Sequence, residues 1–182
     1  MNAALPGALR AATPVYSDPA VAFIAANDFD RPTLVISRDR VAAQYDALHA
    51  GLGRAHIHYA VKANPAPEII RLLVKKGSGF DAASRAEIEL CLSQGAKPGN
   101  ISFGNTIKRA SDIAFAHSAG VTLFAADSEA ELDKIATHAP GARVYIRLIV
   151  ENSLADWPLS RKFGCAGSAL PALLDHAKAV GL

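Results

Sequence analysis

From Ile57 onward the chain alternates short apolar runs with longer segments whose apolar residues recur every three or four positions. The runs begin near Ile57, Gly79, Ile101, Val121 and Arg143, at spacings of 22, 22, 20 and 22 residues. Short apolar runs bounded by turn residues read as buried strands, and the segments between them as amphipathic helices. In PEIIRLLVKKG the residues Ile69, Leu72 and Leu73 share one face, and in RAEIELCLSQG the residues Ile88, Cys91 and Leu92 do. RASDIAFAHSAG and SEAELDKIATHAPG repeat the plan, and each segment closes on a glycine placed for a left-handed C-cap. Ser128, with Glu131 three residues on, predicts a capping box. SALPALLDHAKAVGL predicts one more helix, carrying Leu170, Leu173, Leu174 and Ala177 and ending at Gly181.

Ahead of this periodic part, residues 1–30 are rich in Ala, Pro and Asp and predict an irregular arm. TLVIS (33–37) predicts a strand, and Asp39 predicts the cap of a helix over 40–50. Strands alternating with single helices imply right-handed crossovers and a parallel sheet. That leaves an open doubly wound sheet or a β/α barrel. No GxGxxG and no GxxxxGK[ST] opens any of the helices, which favours the barrel.

Composition changes this picture little. Hydrophobic residues make up 51% and charged residues 20%, as in a globular chain. A net charge of +2 without a basic run argues against nucleic acid and against an anionic membrane surface. The apolar run VAFIAA (21–26) is too short for a signal-peptide core or a membrane span. Cys91 and Cys165 stand 74 positions apart without metal or disulfide spacing, so a soluble protein of the cytoplasm is expected. His49, His56, His117, His138 and His176 show no ligand spacing either, and no metal is expected.

Chemistry enters with HYAVKANP (58–65). Alternation puts His58, Ala60 and Lys62 on one strand face, with Ile57, Tyr59 and Val61 on the other. Ala60 leaves room beside Lys62, which stands at the C-terminal end of its strand, where barrel enzymes collect their functional side chains. The plain alternative is a strand-end lysine that snorkels to solvent. Arg147, inside the apolar YIRLIV, is expected to point into the barrel, because an unpaired guanidinium is costly to bury.

YAVKAN (59–64), GFDAAS (79–84), FGNTIK (103–108), FAADSEAEL (124–132) and IRLIVENSLADWPLSRKFG (146–164) follow one another in this order. Together they resemble the ornithine decarboxylase group of pyridoxal-phosphate enzymes, which is built on an alanine-racemase-like barrel. The likeness runs from about Thr33 to the end, and FDAAS, NTIK and SRKFG look more like ornithine than diaminopimelate decarboxylases.

The resemblance implies that Lys62 carries pyridoxal 5'-phosphate, through an amine that a desolvated site keeps neutral. Ala60, Asp81, Glu87 and Arg147 are implied to surround the cofactor, Glu87 having the simpler reading of a first-turn acid. Arg147 has the competing reading of a partner for Asp81 alone. ENSLADWPLSRKFGCAG (151–167) is implied to be a lid, with Lys162 bridging to the partner subunit of a homodimer; an ordinary solvated loop is the alternative.

The implied reaction converts ornithine, a small amino-acid substrate, to putrescine in polyamine synthesis. A lysine or dual ornithine/lysine enzyme is the close alternative, and a non-catalytic relative or a truncated product the distant one. The expected fold class is α/β: an incomplete parallel β/α barrel of about five of the eight units, with an N-terminal strand belonging to a second β domain. Residues 1–38 form the arm and strand, and residues 39–182 the partial barrel. A sixth strand is expected at Leu182. The phosphate cradle, the acid opposite the pyridine nitrogen, the ring-stacking side chain and the substrate-facing cysteine and aspartate are implied to lie beyond it. Gly77-Ser78-Gly79 reads as a helix-to-strand turn, and the chain alone is expected to have little or no activity.

Overall fold

In the computed structural model, which describes residues 18–150 and 162–182, five parallel strands form one sheet. They are β1 (His58–Ala60), β2 (Gly79–Ala82), β3 (Ile101–Phe103), β4 (Leu123–Ala126) and β5 (Arg143–Ile146). Their order in the sheet is their order in the chain. A doubly wound sheet reverses its order at a switch point; these strands never do, so the winding is that of a barrel. Register pairs Ala60 with Asp81, Asp81 with Ser102, Ser102 with Leu123 and Leu123 with Arg143. One face of the sheet therefore carries these residues together with Tyr145.

The opposite face carries Phe80, Ile101, Phe103, Phe124 and Ala126, all almost fully buried. Helices α3 (Pro67–Lys75), α4 (Arg85–Ser93), α5 (Ala110–Ser118), α6 (Glu129–His138) and α7 (Leu170–Ala179) supply Ile70, Leu73, Ile88, Ile113, Leu132, Ile135 and Leu173 to the same core. Each large side chain buried there contributes about 1.5–3 kcal/mol. The apolar faces read from the sequence pack, except that Leu174 of α7 is 43% exposed. Gly77, Gly95, Gly120 and Gly181 have φ of +80°, +93°, +91° and +82°. Past each one the next amide bonds back to the final turn, as Ser78 does to the Leu73 carbonyl and Val121 to that of Ala116.

The helix starts differ from expectation. Ser84 caps α4, its hydroxyl accepting from the Glu87 amide at 3.3 Å, while Glu87 Oε2 accepts from the Ala83 amide at 2.6 Å. Ser128 makes no such bond, and the predicted box with Glu131 does not form. Glu131 is drawn away by two lysines, described below. Ser84→Ala is therefore expected to cost about 1 kcal/mol, and Ser128→Ala clearly less, in parallel urea unfolding measurements.

The chain divides into two compact units, residues 1–40 and 41–182. In the first, Asp18–Ala25 is a helix, α1, where an irregular arm was predicted. Pro19 suits a first turn that needs no amide donor, and Ala20, Ala22 and Ala25 favour helix. Residues 33–37 form no strand, because no ladder partner stands beside them among the described residues; Leu34 is 82% exposed. Helix α2 (Arg38–Leu52) starts earlier than predicted. Its first turn is held by Ser37, whose hydroxyl accepts from the Arg40 amide at 3.3 Å, and not by Asp39.

Candidate active site

Strand β1 ends at Ala60, and Val61–Ala63 wind into a 3-10 turn. Val61 turns into the core and is fully buried, which leaves Lys62 exposed beyond the strand end. The expected alternation therefore holds for His58 and Ala60 but not for Lys62, and the predicted desolvation around its amine is not present. Lys62 has no hydrogen bond or ion pair among the described residues. The chain after it is pinned by Asn64. Its carbonyl accepts from the Tyr59 hydroxyl at 3.2 Å, and its side-chain oxygen from the Ala66 amide at 3.0 Å.

Asp81 lies on the neighbouring strand, level with Ala60. It is half-buried, and its Oδ1 accepts from the Ser102 hydroxyl at 2.9 Å. A Cβ on Gly104 would overlap this carboxylate, so the room for Asp81 comes from a residue without a side chain. Gly79 serves His58 in the same way: a Cβ there would stand 2.8 Å from the imidazole ring. Sequence reading missed Ser102 and Gly104, although both lie in or beside the quoted FGNTIK block. A hydroxyl and a glycine at matching depth on the next strand were the signal.

Arg147 sits one residue past β5 and is exposed, its guanidinium 5.5 Å over the Phe163 ring. The competing reading, a pairing with Asp81, is not met among the described residues: two strands separate β2 from β5, and Phe163 already faces the cation. Glu87 is used by the α4 cap, in keeping with its simpler reading. Lys162 is exposed. Most of the predicted lid, residues 151–161, lies outside the described residues. Its flanks are held together: the Cys165 amide donates to the Arg147 carbonyl and the Ile149 amide to that of Cys165, both at 2.9 Å. The Gly164 amide donates to Asp127 Oδ2 at 2.8 Å. Gly164 has φ of +107°, and a Cβ there would press on the Leu148 backbone at 2.8 Å.

A second lysine marks the end of β3, and it is the opposite of Lys62. Lys108 is 4% exposed. Its Nζ donates to the Ala125 carbonyl at 2.6 Å, to the Asn105 carbonyl at 2.9 Å and to Glu131 Oε1 at 2.9 Å. Burial pulls its pKa below the ordinary lysine range, against the pull of Glu131. Lys134 completes the cluster, 2.7 Å from Glu131 Oε2 and 2.6 Å from the Lys108 carbonyl. Both cysteines are free, and burial, with Glu87 nearby, pushes the Cys91 thiol up to about 12.

The described elements are a singly wound parallel β/α sheet, with Lys62 exposed past the end of β1 and Asp81 on the neighbouring strand. The comparisons narrow this description. Residues 38–182 match the family model described as pyridoxal-dependent decarboxylase, pyridoxal binding domain, and the chain belongs to that family. The ornithine decarboxylase of Schizosaccharomyces pombe is 39% identical over 134 residues, covering 74% of this chain and 31% of the relative. The crystal structure of lysine decarboxylase from Selenomonas ruminantium superposes with a TM-score of 0.81 at 36% identity, over 92% of this chain and 44% of that one. Arginine decarboxylase of Paramecium bursaria Chlorella virus gives a TM-score of 0.77 at 32% identity, over 80% of this chain and 39% of that one. The chain thus spans less than half the length of the proteins it matches.

The cofactor of this family is pyridoxal phosphate, and an exposed lysine amine that makes no hydrogen bond or ion pair among the described residues fits its aldehyde; Asp81 lies on the neighbouring strand. Gly77-Ser78-Gly79 belongs to a helix-to-strand turn at the opposite end of the sheet, away from Lys62. Among the described residues, no helix is long and apolar enough to cross a membrane, and no cluster of His, Cys, Asp or Glu is arranged to hold a metal ion.

Proposed function

We propose that this chain is the cofactor-carrying part of a pyridoxal-phosphate-dependent decarboxylase of basic amino acids, with ornithine as substrate and putrescine as product. The observation that carries the reading is the contrast between two lysines at the same end of the sheet. Lys108 is committed to a carboxylate and two carbonyls, whereas Lys62 is exposed and unpaired, one strand from Asp81. Lys62 holds the cofactor through its amine, and Asp81 presents a carboxylate to the cationic groups that gather there. Ala60, small and level with Asp81, keeps the space between them open. Arg147 supplies positive charge at the far side of the face, and Lys162 is assigned to the homodimer contact. Pyridoxal phosphate, when bound, supplies the electron sink for the carbanion left by loss of carbon dioxide. Two free cysteines suit a reducing compartment, and a cytoplasmic setting follows from that reading.

The preference for ornithine rests on the likeness of FDAAS, NTIK and SRKFG; lysine and arginine are the competing substrates, as the relatives' names indicate. The test is reductive trapping. The chain is incubated with pyridoxal phosphate, reduced with borohydride, digested and mapped. Label concentrated on Lys62 is the expected result. Label spread over exposed lysines such as Lys75, Lys97 and Lys178 would remove the reading. Because the chain alone is expected to show little or no turnover, carbon dioxide release from carboxyl-labelled ornithine, lysine and arginine by a full-length relative then ranks the substrates, with ornithine expected first.

A further inference from the structure

Arg147 carries the ladder one residue past β5. Its amide donates to the Ala126 carbonyl, and its carbonyl accepts from the Cys165 amide, both at 2.9 Å. The amide and carbonyl of one residue in a parallel ladder serve the same neighbouring side. Phe163–Cys165 therefore take up, beside Arg147, the side that β4 leaves at Ala126. The Ile149 amide closes on the Cys165 carbonyl at 2.9 Å, and Leu148 and Cys165 form a parallel bridge. Asp127, the first residue past β4, fixes the middle of this segment by accepting from the Gly164 amide at 2.8 Å.

Gly164 permits the close approach, since a Cβ there would stand 2.8 Å from the Leu148 backbone, and its φ of +107° turns the chain. What the turn delivers is Phe163. Its half-buried ring lies 5.5 Å from the Arg147 guanidinium, within the roughly 6 Å over which a cation is drawn to an aromatic face. Arg147 follows Tyr145 by two residues, so alternation gives it the face that carries Asp81. Its side chain makes no ion pair or hydrogen bond among the described residues, which leaves the ring as the group that orders it.

We propose that Phe163 is the positioning residue of Arg147. The clasp of Asp127, Gly164 and Cys165 presents the ring to the guanidinium and keeps that cation at the β5 end of the face. Phe163 acts through Arg147 alone. The consequence for cofactor binding rests on the functional reading above, but the clasp does not.

Two measurements test it separately. In the cofactor-free chain, an Overhauser contact is expected between the Phe163 ring and the Arg147 Hδ and Hε protons, with Hε assigned by its disappearance in Arg147→Lys. Phe163→Leu is expected to move the Arg147 Hε resonance to the position of exposed arginines, and Phe163→Tyr to keep it in place. Absence of the contact in the wild-type chain would overturn the proposal, an outcome that needs no variant to fold. The second measurement is pyridoxal phosphate affinity by absorbance titration. Phe163→Leu is expected to weaken binding about two- to fivefold, as for an exposed cation–ring contact, and Phe163→Tyr to restore it. In the Arg147→Gln background Phe163→Leu should have no further effect. The same loss in both backgrounds would make Phe163 a packing residue and end the positioning role. A wild-type chain that forms no adduct at Lys62 would remove the functional reading, while the contact in the cofactor-free chain still decides the clasp.

Discussion

Glu131→Ala is expected to destabilise the chain by about 3–5 kcal/mol, the cost of leaving a buried charge without its partner. The Lys108 side chain is 0% exposed and that of Glu131 4%. Glu131 also accepts from the Lys108 amide at 3.2 Å, so its loss strands a second donor. Lys134 should matter far less. Its side chain is 32% exposed and swings to water when unpaired, which puts Lys134→Ala at about 1 kcal/mol or less. Lys108→Met, similar in length and apolar, is expected to fall between the two, because it removes the charge along with the need for its partner. Urea unfolding at pH 7 ranks the three variants. A cost below 1 kcal/mol for Glu131→Ala would mean that the cluster is open to water.

The same cluster predicts a pH dependence. The folded Lys108 pKa lies below its unfolded value because burial disfavours the charge. Below the folded pKa, both states hold the proton and the burial penalty stands in full. Between the folded and unfolded values, only the unfolded state keeps it, so stability rises with pH across that window. The wild-type chain should therefore gain on Lys108→Met as pH rises toward the unfolded lysine range.

The second large effect is chemical. Lys62→Arg is expected to reduce the borohydride-stable pyridoxal adduct to background, because a guanidinium stays protonated and cannot attack an aldehyde. Stability should be within about 0.5 kcal/mol of wild type, since Lys62 is exposed and unpaired. Mass spectrometry after reduction reads the adduct, and thermal unfolding reads the fold. An adduct of wild-type yield on another lysine would move the attachment point; loss of adduct together with loss of fold would show Lys62 to be structural.

Much of the candidate site was legible because its parts are local. Lys62 follows its strand by two residues, and Asp81 lies on the next strand one repeat later, so the β/α period alone brings them side by side. The clustering around them was not legible. Ser102 and Gly104 come from β3 and the residue just past it, and reach Asp81 only because the register sets them against it. Glu131 shows the limit well. Its spacing from Ser128 satisfies a local rule, yet Lys108, 23 positions earlier, claims the carboxylate in a dry interior where charge pairing outweighs a cap.

By itself, then, the sequence determined the parallel α/β winding, the glycine that ends α3, α4, α5 and α7 (α6 closes on Ala139, short of Gly141), most of each helix's apolar face and the candidate lysine. All of these depend on residues within one turn or one strand of each other. Tertiary structure alone decided that Lys62 stands in a 3-10 turn open to solvent and that Arg147 lies over Phe163 and not against Asp81. It also decided that residues 33–37 have no ladder partner among the described residues. Such outcomes turn on which distant groups arrive at hydrogen-bonding distance, and on whether a polar group meets water or protein when they do. Spacing along a chain records neither.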